Sequence, residues 1–409
     1  MSESFDAPLI IPVDIPNVTI HLNLNQRIEQ HRNLTKEQIL VQVLCLLLIV
    51  VLFIFVTIII LLNMENKISP NKYRKHEEIT MQPMFTRKVS TDETSVHSLC
   101  HISNINADWS QESHIFINVN ARCLAPNEHA LCGVEDLFID NVHDNLYLVD
   151  VYNNRIQKYS LTEPYDPYLG AIGIIVASKD LNKPQSIFVD SETEDMYILD
   201  HMTEITQPSY DSGYRVHLWK KNDQTGRILF YEIGEDATNY YSYLTFDKEM
   251  NIYVGTRFHI KKWLFSSNYT QQVLVAGKTD EYIHGRSSLY LPRNFYVDDD
   301  LTLYIADWQN KRIQKWLFNA TEGITLVKNL TNVHGLTMGC NGHIYYTDIS
   351  DQSVFELNLK NNEKRTIIGD ESINREKSEF YPMLMKFDKF GNIFVFNLRT
   401  SMVMKFSLL

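Results

Sequence analysis

"LTLYIADWQNKRIQKWLFNAT", Leu301 to Thr321, is the stretch whose reading decides the fold. Two apolar runs rich in strand formers flank a polar turn, D-W-Q-N-K-R, that opens on Asp307 and closes on Arg312. The pattern predicts a hairpin, and it recurs. It appears as "NLYLVDVYNNRIQKYSL" from Asn145, as "DMYILDHM…GYRVHLWKK" from Asp195 and as "NIYVGTRFHIKKWLF" from Asn251. It returns as "HIYYTDISDQSVFELNL" from His343 and "NIFVFNLRTSMVMKFSL" from Asn392. The first run closes on Asp150, Asp200, Thr256, Asp307, Asp348 and Asn397, at steps of 50, 56, 51, 41 and 49 residues. Nine or ten residues earlier stands a second landmark: Asp140, Asp190, Asp247, Asp298, Gly339 and Asp388. Short apolar runs such as "DLFID" and "NFYVD" lead into it, so each unit holds three short strands. A less regular fourth follows, as in "GIIVAS" and "QQVLVAG".

Four short strands per unit, repeated, are the sequence signature of a β-propeller. One four-stranded sheet cannot cover both of its faces, so the units must stack radially. The expected fold is all-β, a six-bladed β-propeller preceded by a single transmembrane helix. The "D-x-x-N-x-R-I-Q-K" element is carried by Asp150, Asn153 and Arg155 in the first unit and by Asp307, Asn310 and Arg312 in the fourth. It resembles the NHL-repeat family over about 134–409. The third unit departs from it with Thr256, and the fifth reads "YYTD", closer to the YWTD type of blade. The last unit ends at its third strand, "MVMKFSLL", which leaves an open edge. The strand-like "SHIFINVN", Ser113 to Asn120, is expected to complete the sixth blade, giving a propeller over 113–409 closed by strand 113–120.

The segment before it is different in kind. Ile39 to Leu62 is 24 residues without a charge, Gly or Pro, long enough to span a bilayer as a signal-anchor helix in the 39–62 range. A short disordered tail over 1–38 and a polar stalk over 63–112 flank it. Orientation is argued from two sides. Arg27, Arg32 and Lys36 precede the span, and Lys67, Lys72, Arg74 and Lys75 follow it, a one-charge bias toward a cytoplasmic propeller. Against this stand sequons at Asn268, Asn319 and Asn329 and an even set of cysteines beyond the membrane, Cys100, Cys123, Cys132 and Cys340. Cys123 and Cys132 are spaced for a short closed loop, and Cys100–Cys340 follows only if they pair. The weight falls on a type II protein with the propeller extracellular or luminal. A net charge of −12 gives no broad basic surface, so no nucleic-acid partner is expected. The basic cluster in "NKYRKHEE" from Asn71 reads as a solvated juxtamembrane stop.

In a propeller the first strand of each blade lines the axis, and its start opens on one face, here called the mouth face. Counting five residues back from the second landmark gives Glu135, Gln185, Ser242, Arg293, His334 and Met383. The turn between second and third strands returns to that face and carries Tyr152, Arg257, Phe258, Trp308 and Arg399. The second unit inserts "MTEITQPSYDSG", Met202 to Gly213, at the same turn. A resemblance to amidating lyases would imply His ligands for zinc, but only His334 stands at a matching place, and catalytic zinc needs three protein ligands. Calcium, as in lactonase-type propellers, would find Glu135, Gln185 and Ser242 with Arg293 in the way. Neither a G-x-S-x-G elbow nor an HExxH run occurs. The landmark aspartates Asp150 and Asp307 read as turn residues of the fold. No cofactor and no metal site is expected. Tyr, Trp, Phe and Arg are enriched where proteins bind partners. The expected function is therefore a membrane-anchored binding module for a protein, peptide or glycan. The alternative is a propeller enzyme with an axial metal, amidating-lyase-like or lactonase-like.

Overall fold

The computed structural model describes residues 107–117, 131–162, 170–202, 213–234, 242–278, 285–369 and 379–409. The expected tail, the transmembrane helix at 39–62 and the stalk up to residue 106 lie outside the described residues, as does most of the Met202–Gly213 insertion. Among the described residues no helix is long and apolar enough to cross a membrane.

Six four-stranded antiparallel sheets form the six blades of a propeller. The first blade is β2 (Val134–Asp140), β3 (Asn145–Asp150), β4 (Arg155–Ser160) and β5 (Ile174–Ala177). The second is β6 (Ser186–Asp190), β7 (Asp195–Met202), β8 (Gly213–Trp219) and β9 (Arg227–Ile233), and the third β10 (Tyr243–Phe246), β11 (Ile252–Gly255), β12 (His259–Trp263) and β13 (Gln272–Gly277). The fourth is β14 (Pro292–Val297), β15 (Leu303–Asp307), β16 (Arg312–Trp316) and β17 (Ile324–Val327). The fifth comprises β18 (Val333–Met338), β19 (Ile344–Asp348), β20 (Ser353–Leu357) and β21 (Lys364–Ile368). The sixth is β22 (Pro382–Phe387), β23 (Ile393–Asn397), β24 (Met402–Phe406) and β1 (His114–Ile117).

The apolar runs bury both sheet faces because each blade is covered by two neighbours. Phe188 of β6 stacks on Phe246 of β10 with ring centroids 4.2 Å apart, and meets Phe138 of β2 edge-on at 5.4 Å. These inter-blade contacts replace the single core of a compact domain with a ring of core wedges. Outer strands are less buried: in β17 two residues are exposed and two half-buried.

The ring closes by exchange of its ends. β1 pairs antiparallel with β24, His114 opposite Lys405 and Ile117 opposite Val403. Phe116 is buried and meets Phe394 edge-on at 5.1 Å. The contact begins earlier than Ser113. Trp109 is 2% exposed, bridges Leu408 and donates its indole N–H to the Gly391 carbonyl at 2.8 Å. Arg365 reaches back to Asp108 at 2.9 Å. The polar stalk expected over 63–112 therefore gives way to the propeller by residue 107. No periodicity announces this: Trp109 sits between the fifth and sixth blades, against Tyr345 at 5.9 Å and Phe387 at 6.0 Å.

Phe116→Ala should lower stability by about 3–5 kcal/mol, the usual loss for a buried aromatic. Ile115→Ala, one residue away at an exposed position, should change it by less than about 0.5 kcal/mol. Denaturant unfolding of the full chain measures both, and equal small effects would show that β1 does not close the ring.

Candidate functional site

All six residues counted from the landmarks meet in one cavity on the propeller axis. Its lining is Glu135, Gln185, Ser242, Arg293, His334 and Met383, one from each blade, with Tyr243, Asn294 and Leu384 beneath them. The space open to the centre of a water is about 20 Å³, enough for an ordered water or a small functional group and too little for a whole ligand.

The backbone explains the convergence. In four blades the first strand carries one extra residue just where it leaves the mouth. The ladder slips between Val134 and Asp136, between Pro292 and Phe295, between Val333 and Leu336, and between Pro382 and Leu384. Glu135, Arg293, His334 and Met383 sit inside these slips. A β-bulge leaves a residue unpaired and re-aims its side chain, and bulges gather at the rims of closed sheets and beside sites. In the other two blades Gln185 and Ser242 lie just outside the strand. Gln185 accepts the Ser242 backbone N–H at 2.8 Å, which ties the second blade to the third.

Directly below lies a second polar layer. Asp136 accepts the Ser186 hydroxyl at 2.6 Å and the backbone N–H groups of Ile187 and Leu137 at 3.1 and 2.8 Å. The Ser186 hydroxyl oxygen accepts the Leu244 N–H at 3.2 Å. The Lys386 ammonium donates to the Tyr243 hydroxyl at 3.3 Å. In the fifth blade Thr347 bonds the Gly335 N–H at 2.8 Å and the Met383 carbonyl at 2.8 Å. A side chain at 335 would stand 2.9 Å from the Met383 oxygen, so this close approach requires glycine. The layer was missed in the sequence, yet counting four residues back from the same landmarks returns Asp136, Ser186, Tyr243, Asn294, Gly335 and Leu384.

Burial dominates the electrostatics of both layers. It raises the Glu135 carboxyl to about 7 against the pull of Arg293, with Asp136 adding to the rise. Burial likewise lifts Asp136 to about 6, opposed by the Lys386 charge and by the hydrogen bonds it accepts. His334 is held well below its ordinary value, first by burial and then by Arg293, so its ring is neutral at physiological pH. Burial pulls the Lys386 ammonium down, but Tyr243 and Asp136 outweigh it and hold the group above its ordinary value.

Around the cavity the mouth face presents cation–aromatic pairs. The Arg293 guanidinium lies 4.1 Å from the centre of the Trp308 ring, which meets His334 edge-on at 5.6 Å and donates its N–H to Asn332 at 2.6 Å. Arg257 lies over Phe258 at 5.0 Å and Arg399 over Tyr381 at 5.4 Å. Tyr152 is the most open member, 67% exposed; its ring lies over Gly133, where an added Cβ would stand 2.5 Å away. Phe258 does not belong to the accessible set. It is 5% exposed and stacks at 5.7 Å on Tyr290, which arrives from the segment before the fourth blade.

The landmark residues that close the second strands do structural work at the same face. Asp150 accepts the Cys132 N–H at 2.7 Å, Asp200 that of Asn182 at 2.8 Å, and Asp307 that of Tyr290 at 2.8 Å. Asp348 accepts the Thr331 N–H at 2.9 Å, and Asn397 that of Tyr381 at 3.0 Å. Each bond holds the segment leading into the blade against the end of its second strand. Arg155 and Arg312 complete the carboxylates of Asp150 and Asp307 at 2.7 and 2.8 Å.

Asn268, Asn319 and Asn329 are exposed, and all three have left-handed backbone with φ of 52°, 58° and 60°. Asn is favoured at such turns on conformational grounds alone, so the sequons have a fold reason independent of any glycan. Asn268 and Asn319 follow third strands, away from the mouth. Asn329 lies beside Leu330, whose N–H bonds Lys311 in a mouth-face turn at 2.9 Å, so it sits on the mouth side of the rim. Cys132 is buried; Cys100 and Cys123 lie outside the described residues, and none of the expected disulfides is shown. Among the described residues no group of three or more His, Cys, Asp or Glu is placed to hold a metal ion. His334 has no second histidine beside it in the cavity lining. His201 is buried at the end of β7, and His284 lies outside the described residues.

No protein-family model matches the chain, and no curated protein matches it by sequence. Solved structures match the fold. A protein of unknown function from Bacteroides thetaiotaomicron is 12% identical with a TM-score of 0.54, covering 74% of this chain and 76% of its own. Virginiamycin B lyase from Staphylococcus aureus is 13% identical with a TM-score of 0.46, covering 68% and 95%. A chain of a nidogen/laminin complex is 16% identical with a TM-score of 0.45, covering 64% and 93%. At these identities the likeness shows a propeller and nothing finer; membership of the NHL-repeat family is not shown.

Asp307→Ala should remove about 3 kcal/mol of stability, because it strands the Tyr290 amide, Asn310 and the Arg312 guanidinium together. Thr256→Ala, at the one blade whose landmark is no Asp or Asn, should cost under about 1 kcal/mol. Thermal or denaturant unfolding reads both, and equal losses would remove the special role given to the carboxylate.

Proposed function

We propose that this chain is a membrane-anchored propeller of NHL-repeat type that binds a protein, peptide or glycan at its mouth face, outside the cell or in a secretory lumen. The observation that carries the reading is the convergence of one residue from every blade on the axial cavity. Four of the six are delivered there by bulges, which free a residue from the ladder and re-aim its side chain. Around this centre the exposed Tyr152 and Arg399 and the half-buried Arg257 and Trp308 supply the residue types that anchor interfaces. Since the cavity admits only a small group, the bulk of a ligand must rest on the surrounding turns.

The compartment is supported by the even set of four cysteines beyond the span, Cys100, Cys123, Cys132 and Cys340, and by three exposed sequon asparagines. Cys123–Cys132 and Cys100–Cys340 are the pairing proposed. The signal-anchor helix at 39–62 and the type II orientation stand on the sequence argument. The axial-metal enzyme has less support, because the cavity lining holds one carboxylate, one histidine and a guanidinium.

The face is testable with one substitution. Leu398 is exposed in the turn between β23 and β24 and is followed by Arg399 and Thr400. Leu398→Asn creates an N-R-T sequon on the mouth face, and a glycan there is bulky enough to obstruct binding. Full-length protein would be screened against peptide and glycan arrays, and the hits retested on variants. Leu398→Asn should gain a glycosidase-sensitive mass shift and lose binding, and Trp308→Ala should weaken binding about tenfold or more. Asn319→Gly, which keeps the left-handed turn and deletes an opposite-face sequon, should leave binding intact. A Leu398 glycan that binding survives would place the ligand elsewhere.

A further inference from the structure

The turn between third and fourth strands, on the face opposite the mouth, repeats one conformation with different chemistry. Among the described residues a left-handed Asn stands in this turn in four blades: Asn222, Asn268, Asn319 and Asn362, with φ of 66°, 52°, 58° and 59°. The left-handed backbone accounts for Asn at all four. It does not account for what surrounds them. The two residues before Asn222 are the exposed Lys220 and Lys221, and before Asn362 stand the exposed Lys360 and Asn361. Before Asn319 stand Leu317 and Phe318, 45% and 55% exposed. There the triplet also reads N-A-T, closing on the exposed Thr321.

The tip of the fourth blade is tied down from within. The Ala320 N–H donates to the Leu317 carbonyl at 3.0 Å, and the buried Trp316 donates its indole N–H to the Ala320 carbonyl at 2.9 Å. Lys262, from the third blade, brings its ammonium 5.9 Å from the Phe318 ring centre, and the ring is still more than half exposed. A fixed, exposed aromatic can be covered at little cost in ordering entropy. A pyranose suits it, because one side of the sugar carries C–H groups of weak positive charge that match the negative face of an aromatic ring. Consecutive Cα atoms are about 3.8 Å apart, so a sugar on the Asn319 amide starts beside that ring. Covalent attachment makes the contact intramolecular, and stacking too weak to hold a free sugar is then enough.

We propose that Asn319 carries an N-linked glycan whose first sugar packs on the Phe318 ring and covers the apolar tip of the fourth blade. In its attachment the Asn319 amide nitrogen forms a bond to the anomeric carbon of an activated oligosaccharide. The amide gives up one proton to solvent, and the bond to the donor's diphosphate breaks, the diphosphate leaving with the electron pair. This rests on the extracellular or luminal placement proposed above and is independent of the mouth-face ligand. The other two sequons have less to offer a sugar. Phe265 stands three residues before Asn268, but its ring is half-buried and meets Tyr269 at 5.8 Å. Asn329 follows the exposed Lys328. The stabilising glycan is thus the one at Asn319, on the face away from the axial cavity.

A thermal-unfolding cycle tests it, on full-length protein made in cells with a glycosylating secretory pathway and held in nanodiscs. Mass spectrometry of the glycopeptide reads occupancy at Asn319, and backgrounds are compared at matched occupancy. Thr321→Ala removes the acceptor triplet and leaves Asn319 in its turn. It should lower the melting temperature by about 2 °C. In a Phe318→Ser background the same change should move it by less than about 0.5 °C. Phe318→Tyr, which keeps the ring face, should restore the full effect of Thr321→Ala. An occupied Asn319 whose loss shifts both backgrounds equally, or shifts neither, would overturn the proposal and leave the placement outside the cell standing. Sugar on Asn268 or Asn329 with none on Asn319 would do the same. If none of the three carries sugar, the proposal and that placement fall together.

Discussion

A side chain at the end of each second strand holds the segment that enters the same blade, and the mouth face depends on that bond. In five blades an Asp or Asn accepts a backbone N–H from sixteen to eighteen residues upstream, at 2.7 to 3.0 Å. The acceptors are 0–2% exposed, so the bond is sheltered from water and its loss would leave a buried polar group unpaired. Geometry makes this the natural anchor. The incoming segment crosses from an outer strand to the axis with no ladder of its own, and without a fixed point its first residues would enter at no defined register. In the third blade, where Thr256 stands instead, Gln185 of the preceding blade holds the Ser242 amide at 2.8 Å.

Once the incoming segment is pinned, its extra residue has to bulge. The ladder in the first, fourth, fifth and sixth blades begins with a pair at the pinned end, Val134 with Asp150, Pro292 with Asp307, Val333 with Asp348 and Pro382 with Asn397, and then slips. The axis carries two layers of successive residues, with Glu135 above Asp136 and Arg293 above Asn294; the unbulged third blade adds Ser242 and Tyr243 in the same way. The upper layer meets solvent, and the lower one stitches blades together through Asp136, Ser186, Thr347 and the Lys386–Tyr243 contact. Structure and candidate function thus use adjacent residues of the same strand.

Much of this was legible because repetition aligns the chain with itself. The landmarks at Asp140 and Asp150 and their copies fix the register of every blade, so a constant offset finds the same spatial position six times. The closing strand was legible as a strand-like run, Ser113 to Asn120, that belongs to no blade of its own in sequence, and β1 pairs with β24. Other features leave no periodic trace. A bulge is a two-to-one count between strands, and a single strand's sequence does not show its partner's register; that is why Asp136 looked like part of an apolar run. Phe258 shares its turn position with Trp308, but the neighbour that buries it, Tyr290, lies over thirty residues away in a non-repeating segment. Trp109 stood alone in a polar stretch, a signal of packing without a statement of where.

The central claim is that five side-chain-held amides define the mouth face, and amide hydrogen exchange with residue resolution tests it most directly. The amides of Cys132, Asn182, Tyr290, Thr331 and Tyr381 lie outside regular ladders and would exchange rapidly if only the loop held them. The account predicts protection of all five by at least about tenfold over exposed turn amides of the same propeller. It also predicts that Asp307→Ala removes the protection at Tyr290 while Cys132 and Thr331 keep theirs. Exchange of these five amides at the rate of open turns, or protection at Tyr290 that survives Asp307→Ala, would contradict it.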